Sequence, residues 1–217
     1  MFRYLNPDLS PAGRRWAAAG AILFCIVVIG SAFAIMGGRF AGAFRTAGRA
    51  RFFLASLAGL LAVSFFFLEI MTGSFRPLLL RAFQAKTMRK AHVTFGLLGL
   101  AFVLGHLGLL ITRIHWATEN KVFFLFGPIA LGLLIITIIT ALLRNRLRKS
   151  WAWLHLLNYI IFVLAVFHGL VIGAQGAELA MRVIFGIFLA MALVGLAYRA
   201  SFADWRARFR RTAGRGA

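Results

Sequence analysis

The amino-acid sequence predicts an all-α protein, an integral membrane six-helix bundle, and three observations carry that expectation. Of 217 residues, 62% are hydrophobic, and the mean hydropathy is +0.88. The apolar residues come in runs of about twenty rather than in alternation or stripes, and such runs span a bilayer core of roughly 30 Å. The basic residues collect in the links between those runs.

Taken in order, the first run extends from about Trp16 to Met36. Arg14 and Arg15 precede it, and Ser31-Ala32-Phe33-Ala34 resembles a signal-peptide cleavage site, but the run is long for a cleaved leader and fits a membrane anchor better. Its Cys25, the only cysteine, supports neither an intrachain disulfide nor a thiolate cluster. The second run, Phe52 to Met71, holds Glu69, the only clear acidic residue in the spans. The third runs from His92 to Thr112 and contains Gly96, Gly99 and Gly105. Val122 to Leu143 is the fourth, and Trp153 to Gly173, with Gly169, is the fifth. Val183 to Tyr198 completes the set. Short links leave no room for a soluble nucleotide-binding domain, so residues 1–217 are expected to form a single membrane domain ending in a basic tail from about residue 200 to 217. Any flavin or nicotinamide chemistry must therefore come from another chain.

A net charge of +20 would suggest nucleic acid in a soluble protein; here anionic lipid headgroups are the expected partner and nucleic acid is not. Arg76, Arg81, Lys86, Arg89 and Lys90 follow the second run, and Arg144, Arg146, Arg148 and Lys149 follow the fourth. The tail adds Arg199, Arg206, Arg208, Arg210, Arg211 and Arg215. With six spans these regions and the N-terminus share one side, which the positive-inside rule makes cytoplasmic. Arg39, Arg45, Arg49 and Arg51 in the first link dissent.

Four histidines carry the chemistry: His92 and His106 in the third run, His155 and His168 in the fifth. At about 1.5 Å rise per residue each pair spans roughly 20 Å. The two runs point the same way, so His92 and His155 share the cytoplasmic depth and His106 and His168 the outer one. Bis-imidazole ligation needs two histidines at one depth on neighbouring helices, which both pairs satisfy, so two haems are expected. Rotation is less simple. At about 100° per residue His92 and His106 differ by about 40°, whereas His155 and His168 differ by about 140°. Either the fifth helix is tightened or bent between them, or the haems sit on different flanks. Each residue also has an ordinary reading: His92 as an interfacial residue after Arg89 and Lys90, His155 as part of an aromatic belt with Trp151 and Trp153, His106 and His168 as buried partners. His115 breaks the pairing and is expected at the surface. The glycines of the third and fifth runs admit a flat ring or serve helix packing. Phe162, one heptad after His155, falls at mid-membrane depth between the expected irons. Arg81, Arg89, Lys90 and Arg148 lie at the face where haem propionates need neutralising or where positive-inside charges belong.

The segments Arg89-Lys90-Ala91-His92, Leu104-Gly105-His106, Trp151-Ala152-Trp153-Leu154-His155 and Val166-Phe167-His168-Gly169 resemble the ferric reductase-like transmembrane domain family. That family includes ferric reductases, the membrane cores of NADPH oxidases and the haem-binding subunit of the bacterial periplasmic methionine sulfoxide reductase system. The resemblance covers roughly residues 50 to 175 and rests on the two histidine pairs, whose unequal spacing the eukaryotic oxidases share. It implies two b-type haems, the inner on His92 and His155 and the outer on His106 and His168. It further implies a multi-pass protein of the bacterial inner membrane, with both termini cytoplasmic. Electrons would pass from a cytoplasmic flavin reductase, the only route to flavin or NAD(P)H, to an external acceptor such as a ferric chelate or a periplasmic reductase. A histidine at position 92 favours the two-haem cytochrome over the sulfoxide-reductase subunit. A reading from another class is a small proton- or metal-linked transporter using the intramembrane histidines.

Overall fold

Helix starts are set by local chemistry. Ser10 accepts the Gly13 N–H at 3.1 Å through its hydroxyl, and Pro11 takes the first helical position, where its missing N–H costs nothing. Thr46 caps the second long helix in the same way, accepting from Arg49 N–H at 3.3 Å. The computed structural model describes residues 5–6, 8–111, 121–147, 149–173 and 175–213. Among these residues the longer helices are α1 (Pro11–Met36), α2 (Ala47–Ser74), α3 (Ala85–Leu110), α4 (Lys121–Leu142), α5 (Leu157–Ile172) and α6 (Leu179–Ala213). Short helices at Phe40–Ala43, Arg76–Leu79, Arg144–Leu147 and Lys149–Leu154 fill links, and no strand occurs among the described residues. His115, Arg148 and Thr112 lie outside them.

Among the described residues the protein is thus all-helical, with five helices long and apolar enough to cross a membrane: Pro11–Ala43, Ala47–Ser74, Ala85–Leu110, Lys121–Leu142 and Leu179–Ser201. The fifth expected run differs. Its helix α5 has 16 residues, about 24 Å at 1.5 Å per residue, short of a roughly 30 Å core. The chain breaks at His155 and Leu156, where Leu156 N–H bonds Trp153 O at 3.0 Å and Tyr159 N–H bonds Leu156 O at 3.0 Å, both three residues back. Such turns advance about 120° per residue rather than 100°, so two or three of them recover roughly 40–60° of the rotational mismatch between His155 and His168. Of the two alternatives left by ideal geometry, tightening is therefore present.

Helix α2 is the centre of the bundle. Every residue from Leu60 to Met71 is buried, because α2 packs on α1, α3, α5 and α6. The most extensive pairings are α2 with α3 and α4 with α5, whereas the backbones of α3 and α5 scarcely approach each other. Phe67, fully buried, stacks on Phe188 of α6 at 4.1 Å between centroids and lies 6.1 Å from Phe162 of α5. Phe162 is consequently part of the core stack under α2 and α6. At one end Ser74 and Tyr159 tie α2 to α5 through a 2.6 Å hydroxyl pair.

Two of the dissenting arginines have local partners. Arg39 forms a 2.9 Å ion pair with Glu178, joining the end of α1 to the start of α6. Arg51 donates to the Leu109 carbonyl in the last turn of α3, where a cation meets the negative end of the helix dipole. These charges serve helix ends, which accounts for their place against the general charge bias.

Truncating Phe67 to Ala removes the ring on which three helices converge and should cost about 3–5 kcal/mol. Leu104→Ala, at an exposed position of α3, should leave stability within about 0.5 kcal/mol. Reversible unfolding in mixed detergent measures both, and equal losses would contradict a core centred on α2.

Candidate functional site

The four histidines come from α3, from the turn that precedes α5 and from the last part of α5, all of them half-buried. His92 is two turns inside α3, because that helix extends through the charged flank to Ala85. The inner rings of His92 and His155 lie 5.8 Å apart, edge to face. At the outer level His106 is seated against α2 at Gly59 and His168 against α4 at Gly127. The structure therefore brings together the inner expected pair, His92 and His155.

Three of the four imidazoles are held in one manner. His106 donates its Nδ1–H to the Ala55 carbonyl at 2.8 Å, His92 to Glu69 O at 3.1 Å, and His168 to Phe123 O at 3.1 Å. Each acceptor belongs to a neighbouring helix and lies four residues before a glycine: Ala55 before Gly59, Glu69 before Gly73, Phe123 before Gly127. The reason is geometric. On an α-helix a side chain leans back over the carbonyl four residues earlier, as the Ser64 hydroxyl does in bonding Leu60 O at 3.0 Å. Glycine leaves that carbonyl's second lone pair open from the side. The histidine ring then fills the notch: a β-carbon at Gly59 would stand 3.0 Å from His106 Nδ1, and one at Gly127 2.9 Å from His168 Cε1. At Gly73 the corresponding distance to His92 Cε1 is 3.4 Å.

The α2–α3 contact has a strict register. Gly59 meets His106, Phe66 meets Gly99 and Gly73 meets His92, with a β-carbon on Gly99 falling 2.8 Å from the Phe66 ring. Both series advance by heptads in opposite directions, so small faces large at each step of an antiparallel pair. A β-carbon on Gly96, in turn, would stand 3.6 Å from Glu69 Cγ. Gly96 and Gly99 thus serve the packing of α3 on α2. Gly169 likewise admits Phe185 and Met181 of α6. The glycines that seat the histidines, Gly59, Gly73 and Gly127, lie on α2 and α4. The signal for them was the fourteen-residue separation of Gly59 and Gly73, equal to that of His92 and His106.

Spending Nδ1–H on a carbonyl leaves the neutral ring with its Nε2 lone pair, the form that ligates iron. The outer pair fits bis-imidazole ligation on that ground: His106 and His168 are both fixed in this tautomer, from separate helices. The inner pair is different. The Nε2 of His92 lies 3.2 Å from Glu69 Oε1, and Asn158 donates to the same oxygen at 3.3 Å. His155 stacks on Trp151, centroids 4.9 Å apart, and its Nδ1 is buried with no hydrogen-bond partner among the described residues, as is Trp151 Nε1. A bis-imidazole haem on His92 and His155 requires Glu69 to withdraw, so the inner pair as it stands does not fit that group. Glu69 and Asn158 were not expected at the site; an acid inside an apolar run was their only signal.

Gly59→Ala should cost about 1–3 kcal/mol by overpacking, and the cost should vanish in a His106→Ala background. A double-mutant cycle on detergent unfolding measures this, and additive losses would mean that the notch does not seat the ring. Against known proteins, no family model, no characterised protein and no solved structure matches the chain.

Proposed function

We propose that the chain is a b-type membrane cytochrome that relays single electrons, with haem held between α3 and α5 by His106 and His168. The observation that carries this reading is the outer pair, in which two imidazoles from different helices each commit Nδ1–H to a backbone carbonyl and keep Nε2 for a ligand. Haem supplies a one-electron couple when bound. The chain's own residues orient the rings: Ala55 and Phe123 fix the tautomers, and Gly59 and Gly127 fix ring position. Pro128, next to Gly127, has no N–H to give to the α4 ladder, which loosens the turn beside His168. Phe65, stacked on Phe102 at 5.5 Å and lying 6.3 Å from Phe95, lines α2 and α3 between the two histidine levels with apolar rings that exclude water.

In this reading the sixth crossing is α5 continued through the turn at His155 into Lys149–Leu154. Both termini lie in the cytoplasm of a bacterial cell and the outer pair faces away from it. The donor is a cytoplasmic flavin reductase and the acceptor an external oxidant, as in ferric reductases; a periplasmic reductase is the alternative acceptor.

Purified in mild detergent from haem-replete cells, the chain should show a Soret band and, on reduction, the split visible bands of a six-coordinate b-type haem. His106→Ala and His168→Ala should each abolish the haem held by the outer pair, while His155→Ala should spare it. A colourless wild-type preparation, or full haem retention in both outer variants, would refute the assignment.

A further inference from the structure

We propose that Glu69, His92 and His155 form a mononuclear site for a first-row divalent metal ion. One carboxylate oxygen and one nitrogen from each ring lie within 4.8 Å of one another. A transition-metal ion sits about 2.0–2.2 Å from such ligands, which places neighbouring donors roughly 3.2–4.4 Å apart. The 3.2 Å between His92 Nε2 and Glu69 Oε1 already meets the lower end, and small rotations of the rings close the rest.

The hydrogen bonds leave a place for a cation there. Because His92 spends its Nδ1–H on Glu69 O, its Nε2 in the neutral ring is a lone pair, and it faces a carboxylate oxygen. Two acceptors at that distance repel unless a positive centre lies between them. A proton between them gives either a buried imidazolium–carboxylate pair, which carries a heavy desolvation cost, or a neutral carboxyl donating to Nε2, and both leave His155 idle with its Nδ1 without a partner among the described residues. A divalent ion engages all three residues and neutralises the one acid buried in the spans. Asn158, donating to Glu69 Oε1, supplies the outer-shell contact that orients a ligating carboxylate. Two imidazoles and one carboxylate with no thiolate suit iron(II), manganese(II), cobalt(II) or zinc(II) rather than copper(I). The site does not rest on haem in the outer pair.

The test measures metal in the full-length chain by mass spectrometry, with iron counted by the pyridine haemochrome subtracted, before and after incubation with excess cobalt(II). About one equivalent of non-haem metal is expected in the wild type. Glu69→Gln and His155→Ala should lower it more than tenfold, and His106→Ala should leave it unchanged. Retained outer haem in Glu69→Gln shows that this variant is folded. A colourless chain that still binds one equivalent would overturn the cytochrome and leave this site standing. Two haems per chain, one of them lost in His92→Ala, would overturn the metal site; so would failure to take up cobalt(II), or undiminished metal in Glu69→Gln.

Discussion

A backbone carbonyl inside a membrane helix is already bonded once to its own ladder, and a second donor reaches it only where no side chain covers it. The candidate site depends on that constraint. With no water in the hydrocarbon core to accept an imidazole N–H, each histidine must find an acceptor within the protein. Three of them find it in a carbonyl exposed by a glycine four residues later. The bond sets the tautomer, and the notch sets the position of the ring. One missing β-carbon therefore decides both which nitrogen is available and where it lies.

The rest of the bundle follows from keeping those notches aligned with their rings. The alternation Gly59, Phe66, Gly73 against His106, Gly99, His92 works only in an antiparallel pair with fixed register. A slip of one turn would drive Phe66 into an occupied position. Close packing turns this local fit into a global one, since α2 is also the helix on which α1, α5 and α6 rest. The Phe67 stack and the Ser74–Tyr159 contact hold the opposite side of α2. The histidines of α3 are thus positioned by the most buried helix of the molecule, although α3 itself is largely exposed.

Much of this was legible in the sequence, and what was not has a common cause. Runs of apolar residues identify the long helices because length and hydropathy are local properties. The depth matching of His92 with His155 was equally legible, being a matter of rise per residue. Which glycine faces which histidine was not, because it depends on the register between helices. The glycines of α3 and α5 drew notice for lying near the histidines in sequence; Gly96, Gly99 and Gly169 pack against Glu69, Phe66 and α6 instead. The turn at His155 was visible only as a rotational mismatch, since the three-residue bonds that produce it carry no proline or glycine signal. The partners of Arg39 and Arg51, Glu178 and the α3 terminus, were not legible because they are distant in sequence.

The two levels of the site use one device with one change of residue. At the outer level the residue four before the glycine is Ala55, which offers a carbonyl and nothing further, so the Nε2 of His106 stays free for a ligand from outside the chain. At the inner level that residue is Glu69, which grips His92 twice: its main-chain oxygen takes Nδ1–H and its carboxylate stands at Nε2. The same backbone geometry thus presents an open nitrogen at one depth and a nitrogen paired with an acid at the other. In a low-dielectric interior that difference governs what each level accepts. Neutral imidazoles alone carry no charge to compensate, whereas a carboxylate beside an imidazole needs a proton or a cation to offset its buried charge.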